Sequence, residues 1–362
     1  MRLSTLKLVN TIFISLLTIG FMGFFIFDTI RIHGGPSSYI QPAIEALTSD
    51  TSRVAIVTVV EDTSHLENYE LAIQTVKCYA KIHGYSYVLA VDKDFEDCKQ
   101  KDRFFRRHCV VAKILPDYDV VLFIDADMGV VYPKRKIEDY LSPRIDITFY
   151  DRFYNWEVVA GSYLVKNTEF GRQILMDFAN YENQLPNAFH GTDNEGLHMF
   201  LVERMFPKET SYLNMCHKVY EKSENFDHLF AYEACTRMIM GLKTDFGKIR
   251  IMRRGTAWAR DNWLSNNIWS EERDFFLHGW KKNQLLDLPS GTVDVGGKMR
   301  SNWYNPLAGS IYLDKCSPMN STWSYHEKLR SNTSYIEQEF QKFENQVLKE
   351  NMHAIALITT LL

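Results

Sequence analysis

Residues 120–131 read VVLFIDADMGVV, and this run constrains the fold more than any other part of the chain. Five consecutive apolar residues, Val120 to Ile124, leave no polar face, so a strand there is a core strand with both faces covered. The run then stops at Asp125 and Asp127 before turning apolar again. Alternate residues of a strand share a face, so both carboxylates would aim one way if the strand geometry persists. Two like charges that close repel each other unless a cation sits between them. The plainer alternative is an Asp pair that caps the next turn, where aspartate is common.

The flanking rhythm agrees with a layered sheet. Val54 to Val60 (VAIVTVV) is a β-branched strand, and residues 66–83 carry apolar positions at helical spacing, closed by Gly84 as a C-cap. Residues 85–91 form a second strand and 104–115 a second helix; the third strand, 120–124, ends at the aspartates. Strands at 145–150 and 158–166 and a helix over 168–182 follow. Strand and helix alternating in this way predict an α/β domain with a mostly parallel sheet, whose ligands bind outside the carboxyl ends of the strands. From about residue 185 the pattern loosens. The region 210–330, rich in Trp, Asn, Gly and charge, reads as loops covering a site. The closing HAIALITTLL is too short to span a membrane and suits a docked terminal helix or no structural role.

The chain has 362 residues, 46% hydrophobic and 24% charged, with a net charge of −4. That balance disfavours a sequence-independent grip on nucleic acid. Residues 8–27 carry no charge, and as a helix they would span about 30 Å, the thickness of a bilayer core. Arg2 and Lys7 precede this stretch, which predicts a cytosolic tail (1–7), a signal-anchor (8–27), a polar stem (28–52), a lumenal domain (53–340) and a C-terminal tail (341–362). A cleaved signal peptide is the alternative and gives the same topology; the run ends in Phe24-Phe25-Ile26-Phe27 rather than in small residues. All six cysteines follow the apolar run, as do the glycosylation acceptors Asn320-Ser321-Thr322 and Asn332-Thr333-Ser334. The cysteines match no zinc spacing, and fifteen pairings are open to them.

These segments together resemble a GT-A-type nucleotide-diphospho-sugar transferase. The likeness is to the Golgi galactosyl-, mannosyl- and xylosyltransferases and to a nematode-expanded family of uncharacterised transferase-like proteins. It rests on VAIVTVV through YAKIHGYSYVLAV, FRRHCVVAKILPDYDVVLFIDAD, VVAGSYLVKNTEFGRQIL and HGTDNEGLHMFLVERMF, and covers roughly residues 53 to 285. It implies a type II Golgi membrane glycosyltransferase with a lumenal catalytic domain. Its donor would be a UDP- or GDP-linked sugar and its acceptor a hydroxyl of a glycan or glycoprotein, with anomeric configuration retained. The Asp-x-Asp of that class holds Mn²⁺ or Mg²⁺, hard cations that prefer carboxylate oxygens.

The resemblance further implies Asp125, Asp127 and His278 as metal ligands, with Gly279 and Lys281 toward the diphosphate. The spacing after His278 departs from the family, where a Lys-Pro pair stands further on. Asp193 and Asn194 fall where similar enzymes place an acid and an amide near sugar and acceptor; an N-cap for a helix over 195–206 is the plain alternative. Gly161 and Ser162 fall where similar enzymes approach the donor, and a sheet bulge is the alternative. Arg106 and Arg107 read first as solvated charges. Trp156, Trp258, Trp263 and Trp269 read mostly as core or loop anchors, and His190 has no comparable support. Two rivals accompany this reading: a sugar-binding scaffold that lost catalysis, and a metal-dependent hydrolase.

Overall fold

A computed structural model describes residues 53–155, 157–288, 303–318 and 323–362. The expected anchor and stem, Trp156 and the sequon at Asn320 lie outside the described residues. The elements follow the apolar runs closely. Strand β1 (Val54–Val60) leads through helix α1 (Glu70–His83) to β2 (Ser86–Val91), and α2 (Arg103–Ile114) leads to β3 (Val120–Ile124). Gly84 ends α1 at φ 71°, a left-handed conformation that glycine adopts without steric penalty. Asp102 starts α2 by accepting from the Phe104 N–H.

Beyond β3 come β4 (Met128–Val130), β5 (Ile147–Tyr150), β6 (Ser162–Lys166) and α3 (Glu169–Asn180). Three helices follow: α4 (Asp193–Met205), α5 (Thr210–Glu221) and α6 (Phe226–Met240). Then come β7 (Asp245–Phe246), β8 (Ile249–Met252), β9 (Ala259–Asp261) and β10 (Phe276–His278). The short β11 (Leu285–Leu286) and β12 (Trp303–Tyr304) precede the terminal α7 (Thr333–Leu361).

The central sheet has the order β2-β1-β3-β6-β5-β8-β7. It is mixed, not mostly parallel as the rhythm predicted. β1 runs parallel to β2 and β3, and β5 parallel to β8, whereas β6 is antiparallel to both β3 and β5. The reason is the connection. The described residues of 151–161 carry no helix, and a parallel return needs a crossover of about a dozen residues or more, usually helical. The strand expected from 158 is correspondingly shorter; Val158 makes only an isolated bridge to Asp151.

Two other expectations change. Helices α5 and α6 occupy part of the region read as loops. The C-terminal sequence is a 29-residue helix, so a domain boundary at 340/341 would cut through it. Its buried residues, Ile336, Phe340, Val347, Asn351, Ala354 and Ile358, recur at helical spacing and dock one face on the domain. Among the described residues no helix is long and apolar enough to cross a membrane. The six cysteines pair as Cys78–Cys316, Cys98–Cys109 and Cys216–Cys235.

A second sheet, β4-β10-β9, positions the site. β10 pairs antiparallel with β4, placing His278 opposite Met128, and parallel with β9, placing His278 opposite Asp261. The segment that leaves the Asp-x-Asp is thus hydrogen-bonded to a strand 150 residues later.

Candidate metal centre

Asp125 and Asp127 do not reach the site as alternate residues of one strand. The chain turns over Asp125–Met128, with the Met128 N–H donating to the Asp125 carbonyl at 3.1 Å. The turn still brings the carboxylates to one place. One ligand atom from each of Asp125, Asp127 and His278 lies within 4.8 Å of the others.

Backbone contacts fix this convergence. The Asp127 carbonyl accepts from both Gly279 N–H (3.1 Å) and Trp280 N–H (2.8 Å), hooking the turn after β10 onto the aspartate. Gly279 has φ 105°, where L side chains are strained, and a Cβ there would come within 2.7 Å of the Asn262 amide oxygen. Gly129 is required by close approach: its Cβ would fall 1.9 Å from the buried Trp280 ring.

His278 is oriented from behind. Its Nδ1 meets Asp261 at 3.1 Å, leaving Nε2 beside Asp127 at 3.2 Å. Asp261 is itself held by Arg152 through two bonds of 3.0 Å, and Arg152 also binds Glu157 at 3.0 Å. A carboxylate on one imidazole nitrogen fixes the tautomer and presents the other nitrogen to a cation. Burial alone would depress the His278 imidazole, but Asp127 and Asp261 outweigh it and raise it to about 10, so a cation taking Nε2 would displace that nitrogen's proton. Burial opposes ionisation of Asp127 too, yet His278 and Lys281 hold it at about 2. The oxygen–oxygen–nitrogen donor set fits Mn²⁺ or Mg²⁺.

Arg107 sits on the other side of the centre. Its guanidinium reaches Asp125 at 2.5 Å and Asp193 at 2.6 Å, and Asp193 also meets the buried His108 at 3.0 Å. The sequence reading of Arg107 as a solvated charge is overturned, since its side chain is only 11% exposed. A signal was present: Arg107 stands at helical spacing between Phe104 and Val111, so it shares a face of α2 with apolar residues. Arg106 instead bonds the Gln100 carbonyl and lies 3.5 Å from Asp92.

The remaining candidates divide. Lys281 stands at the rim, 44% exposed, 3.5 Å from Asp127. Asp193 is 1% exposed, opens α4 and is bonded through Oδ2 to Arg107 and His108; the helix N-cap is Thr192. Asn194 accepts from the Ala160 N–H at 3.0 Å. Ser162 is fully buried; its hydroxyl donates to the Phe123 carbonyl and accepts from Trp258 Nε1, both at 2.9 Å, which ties β6 to β3. Gly161 admits the Asp125 carboxylate: a Cβ there would lie 2.1 Å from Asp125 Oδ2. Trp258 and Trp269 are core residues, and His190 serves its own turn, accepting from the Thr192 N–H at 3.1 Å. Sequence reasoning missed Arg152, Glu157 and Asp261, which join the site only through pairing of distant strands.

Residues 76–295 match the family described as "Protein of unknown function, DUF273". No curated protein matches the chain. Among solved structures it is similar to a glycosyltransferase involved in the glycosylation of the major capsid of PBCV-1. The identity there is 14%, over 62% of this chain and 93% of that one, with a TM-score of 0.41. It is also similar to A197 from STIV (15% identity, 34% and 67% coverage, TM-score 0.23). A third is the glycosyltransferase GlyE of Streptococcus pneumoniae TIGR4 (17% identity, 41% and 43% coverage, TM-score 0.28).

Proposed function

Because the chain belongs to the DUF273 family, whose description names no activity, we propose a function from its site: metal-dependent transfer of a sugar from a nucleotide-sugar to a hydroxyl acceptor. The observation that carries this reading is the convergence of Asp125, Asp127 and His278 at the carboxyl end of β3. Ligands of α/β sheets bind there.

Asp125, Asp127 and His278 Nε2 would hold the cation. When bound, it supplies positive charge that stabilises a departing diphosphate. Asp261 keeps His278 in the ligating tautomer, and Arg107 keeps the Asp125 carboxylate in place. Lys281, already near Asp127 and half-exposed, supplies an ammonium for the diphosphate at the rim. Asp193 is not assigned as the base of this reaction, because it is buried and Arg107 and His108, bonded to its Oδ2, hold its carboxyl below the usual range.

The reading extends to a UDP or GDP donor, a glycan or glycoprotein acceptor, retention of configuration, and a type II Golgi membrane setting. Three disulfides, with no free cysteine among the described residues, suit an oxidising lumen. Asn332 is exposed and open to glycosylation there.

The test is calorimetric titration of the full chain with UDP and with GDP, with Mn²⁺ or with chelator. Wild type and Asp125→Asn/Asp127→Asn are compared. Metal-dependent binding that vanishes in the double variant is the expected result. Folded wild-type protein that binds neither nucleotide overturns the reading.

A further inference from the structure

Trp280 is stapled to the metal centre at three points. Its backbone N–H donates to the Asp127 carbonyl at 2.8 Å, and its fully buried ring lies against Gly129, the second residue after Asp127. The ring's Nε1 donates to Asn267 Oδ1 at 3.0 Å. Asn267 is itself fully buried, and its Nδ2 donates to the Tyr304 carbonyl of β12 at 2.9 Å. One amide therefore fixes the indole edge and a separate strand at once.

Asn262 holds the residue before Trp280. It is fully buried, its Nδ2 donates to the Gly279 carbonyl at 3.1 Å, and its amide lies against the Gly279 Cα, where a Cβ would crowd it. The Gly279 N–H in turn donates to the Asp127 carbonyl. Asn262 and Asn267 belong to one loop, closed by the Asn267 N–H donating to the Asn262 carbonyl at 3.0 Å. That loop starts directly after Asp261, the carboxylate behind His278. The Asp127 backbone, the turn after His278 and the support of His278 thus share one scaffold.

The loop takes an unfavourable shape to do this. Asn266 and Asn267 have φ of 51° and 60°. Asparagine enters that region more readily than most residues, but singly; two in succession persist only where the surroundings over-determine them. Burying amides is costly too, and among the described residues Asn262 Oδ1 and Asn266 Nδ2 have no hydrogen-bond partner. Apolar packing would hold the loop without that cost. What the amides add is direction: their bonds fix the Gly279 peptide and the Trp280 indole in one place and one orientation.

We propose that Asn262 and Asn267 are positioning residues for the metal centre. They set where the 278–281 turn stands, and through it where His278 and Lys281 meet the cation and the diphosphate. The assignment rests on the metal-dependent reading above. Both amides act through Gly279 and Trp280, so their loss displaces the turn and leaves the ligand side chains chemically intact.

Variants of the full chain separate this role from plain stability. Asn267→Gly removes the amide at a φ that glycine adopts freely. Asn266→Gly gives the same backbone relief at a residue bonded to β12 and not to the turn. Trp280→Phe removes the indole N–H. Hydrogen exchange of residues 276–281 is measured without metal and Mn²⁺ affinity by titration, with urea midpoints as the check of folding. Asn267→Gly is expected to speed exchange across the segment and to bind Mn²⁺ about tenfold more weakly. Asn266→Gly is expected to stay within about twofold of wild type. The double variant Asn267→Gly/Trp280→Phe should lose no more than the larger single loss, because both changes remove the same bond. Should Asn267→Gly unfold, Asn262→Ala, which frees the Gly279 carbonyl, takes its place in the same comparison. Unchanged exchange, Mn²⁺ affinity that survives faster exchange, an equal loss in Asn266→Gly, or additive losses in the double variant each overturn the assignment. A wild-type chain that binds no Mn²⁺, with exchange responding as expected, keeps the hold on the turn and overturns only the metal-dependent reading.

Discussion

Arg107 Nη2 donates to Asp193 Oδ2 at 2.6 Å while Arg107 Nη1 donates to Asp125 Oδ1, so one guanidinium joins the start of α4 to the end of β3. Asp193 stays ionised against the pull of burial because Arg107 and His108 surround it. Asp193→Ala leaves the buried Arg107 with Asp125 as its remaining carboxylate and His108 Nε2 without its partner, and is expected to cost about 1–3 kcal/mol. Urea denaturation reads this directly. An unchanged midpoint would mean that the pair has no structural role.

On the proposed reading, Asp261 would control the cation without touching it, through His278. Asp261→Asn removes the negative partner of both His278 and Arg152. Mn²⁺ affinity in the absence of nucleotide should fall about 10–100-fold, the range seen when such supporting carboxylates are lost. Paramagnetic titration of free Mn²⁺ measures it, and wild-type affinity would show that His278 holds its orientation unaided.

Gly161→Ala tests how closely the sheet approaches the centre. The new methyl would lie 2.1 Å from Asp125 Oδ2, so the carboxylate must move off its present position. A loss of about 1–3 kcal/mol is expected from the crowding, with weakened Mn²⁺ binding beside it. Retained metal affinity would show that Asp125 can ligate from another rotamer.

His198 sets an acid response. Its Nε2 accepts from the Val158 N–H at 2.9 Å and its Nδ1 pairs with Thr236 at 3.0 Å, so the folded ring is neutral with the proton on Nδ1. Burial, then the Arg237 charge, put its pKa well below the usual value, whereas the unfolded ring titrates near about 6.5. Between those points the unfolded state binds the extra proton, so the contribution is present above about pH 6.5 and is lost as pH falls. The stability advantage of wild type over His198→Gln should therefore narrow between pH 7 and pH 5. Imidazole nitrogen shifts give a direct check, and an imidazolium signal for His198 at pH 6 would refute the assignment.

Much of this was legible in local sequence. The bounds of β1 and β3 coincide with the VAIVTVV and VVLFI runs, because strands covered on both faces are nearly all apolar, Thr58 being the polar member of β1. Asp125 and Asp127 stand out by residue type and place after β3, whereas His278 stands out through the family resemblance. What local sequence could not show was who partners whom. Asp193 and Ser162 look available in the chain, yet Arg107 and Trp258 consume them from elements far away. The direction of β6 was hidden for a related reason: it depends on what the 151–161 connection lacks.

The pairing of β10 with β4 also bears on how the protein comes to be made. His278 lies opposite Met128, so the complete ligand set exists only after a long-range strand pairing has closed. Contacts of such sequence separation are entropically costly and slow to form. A nascent chain that has emerged only through Asp127 has two of the three ligands and not the site. On the proposed metal-dependent reading, full metal affinity would therefore arrive with tertiary structure, and Mn²⁺ retention would gauge whether a preparation has finished folding.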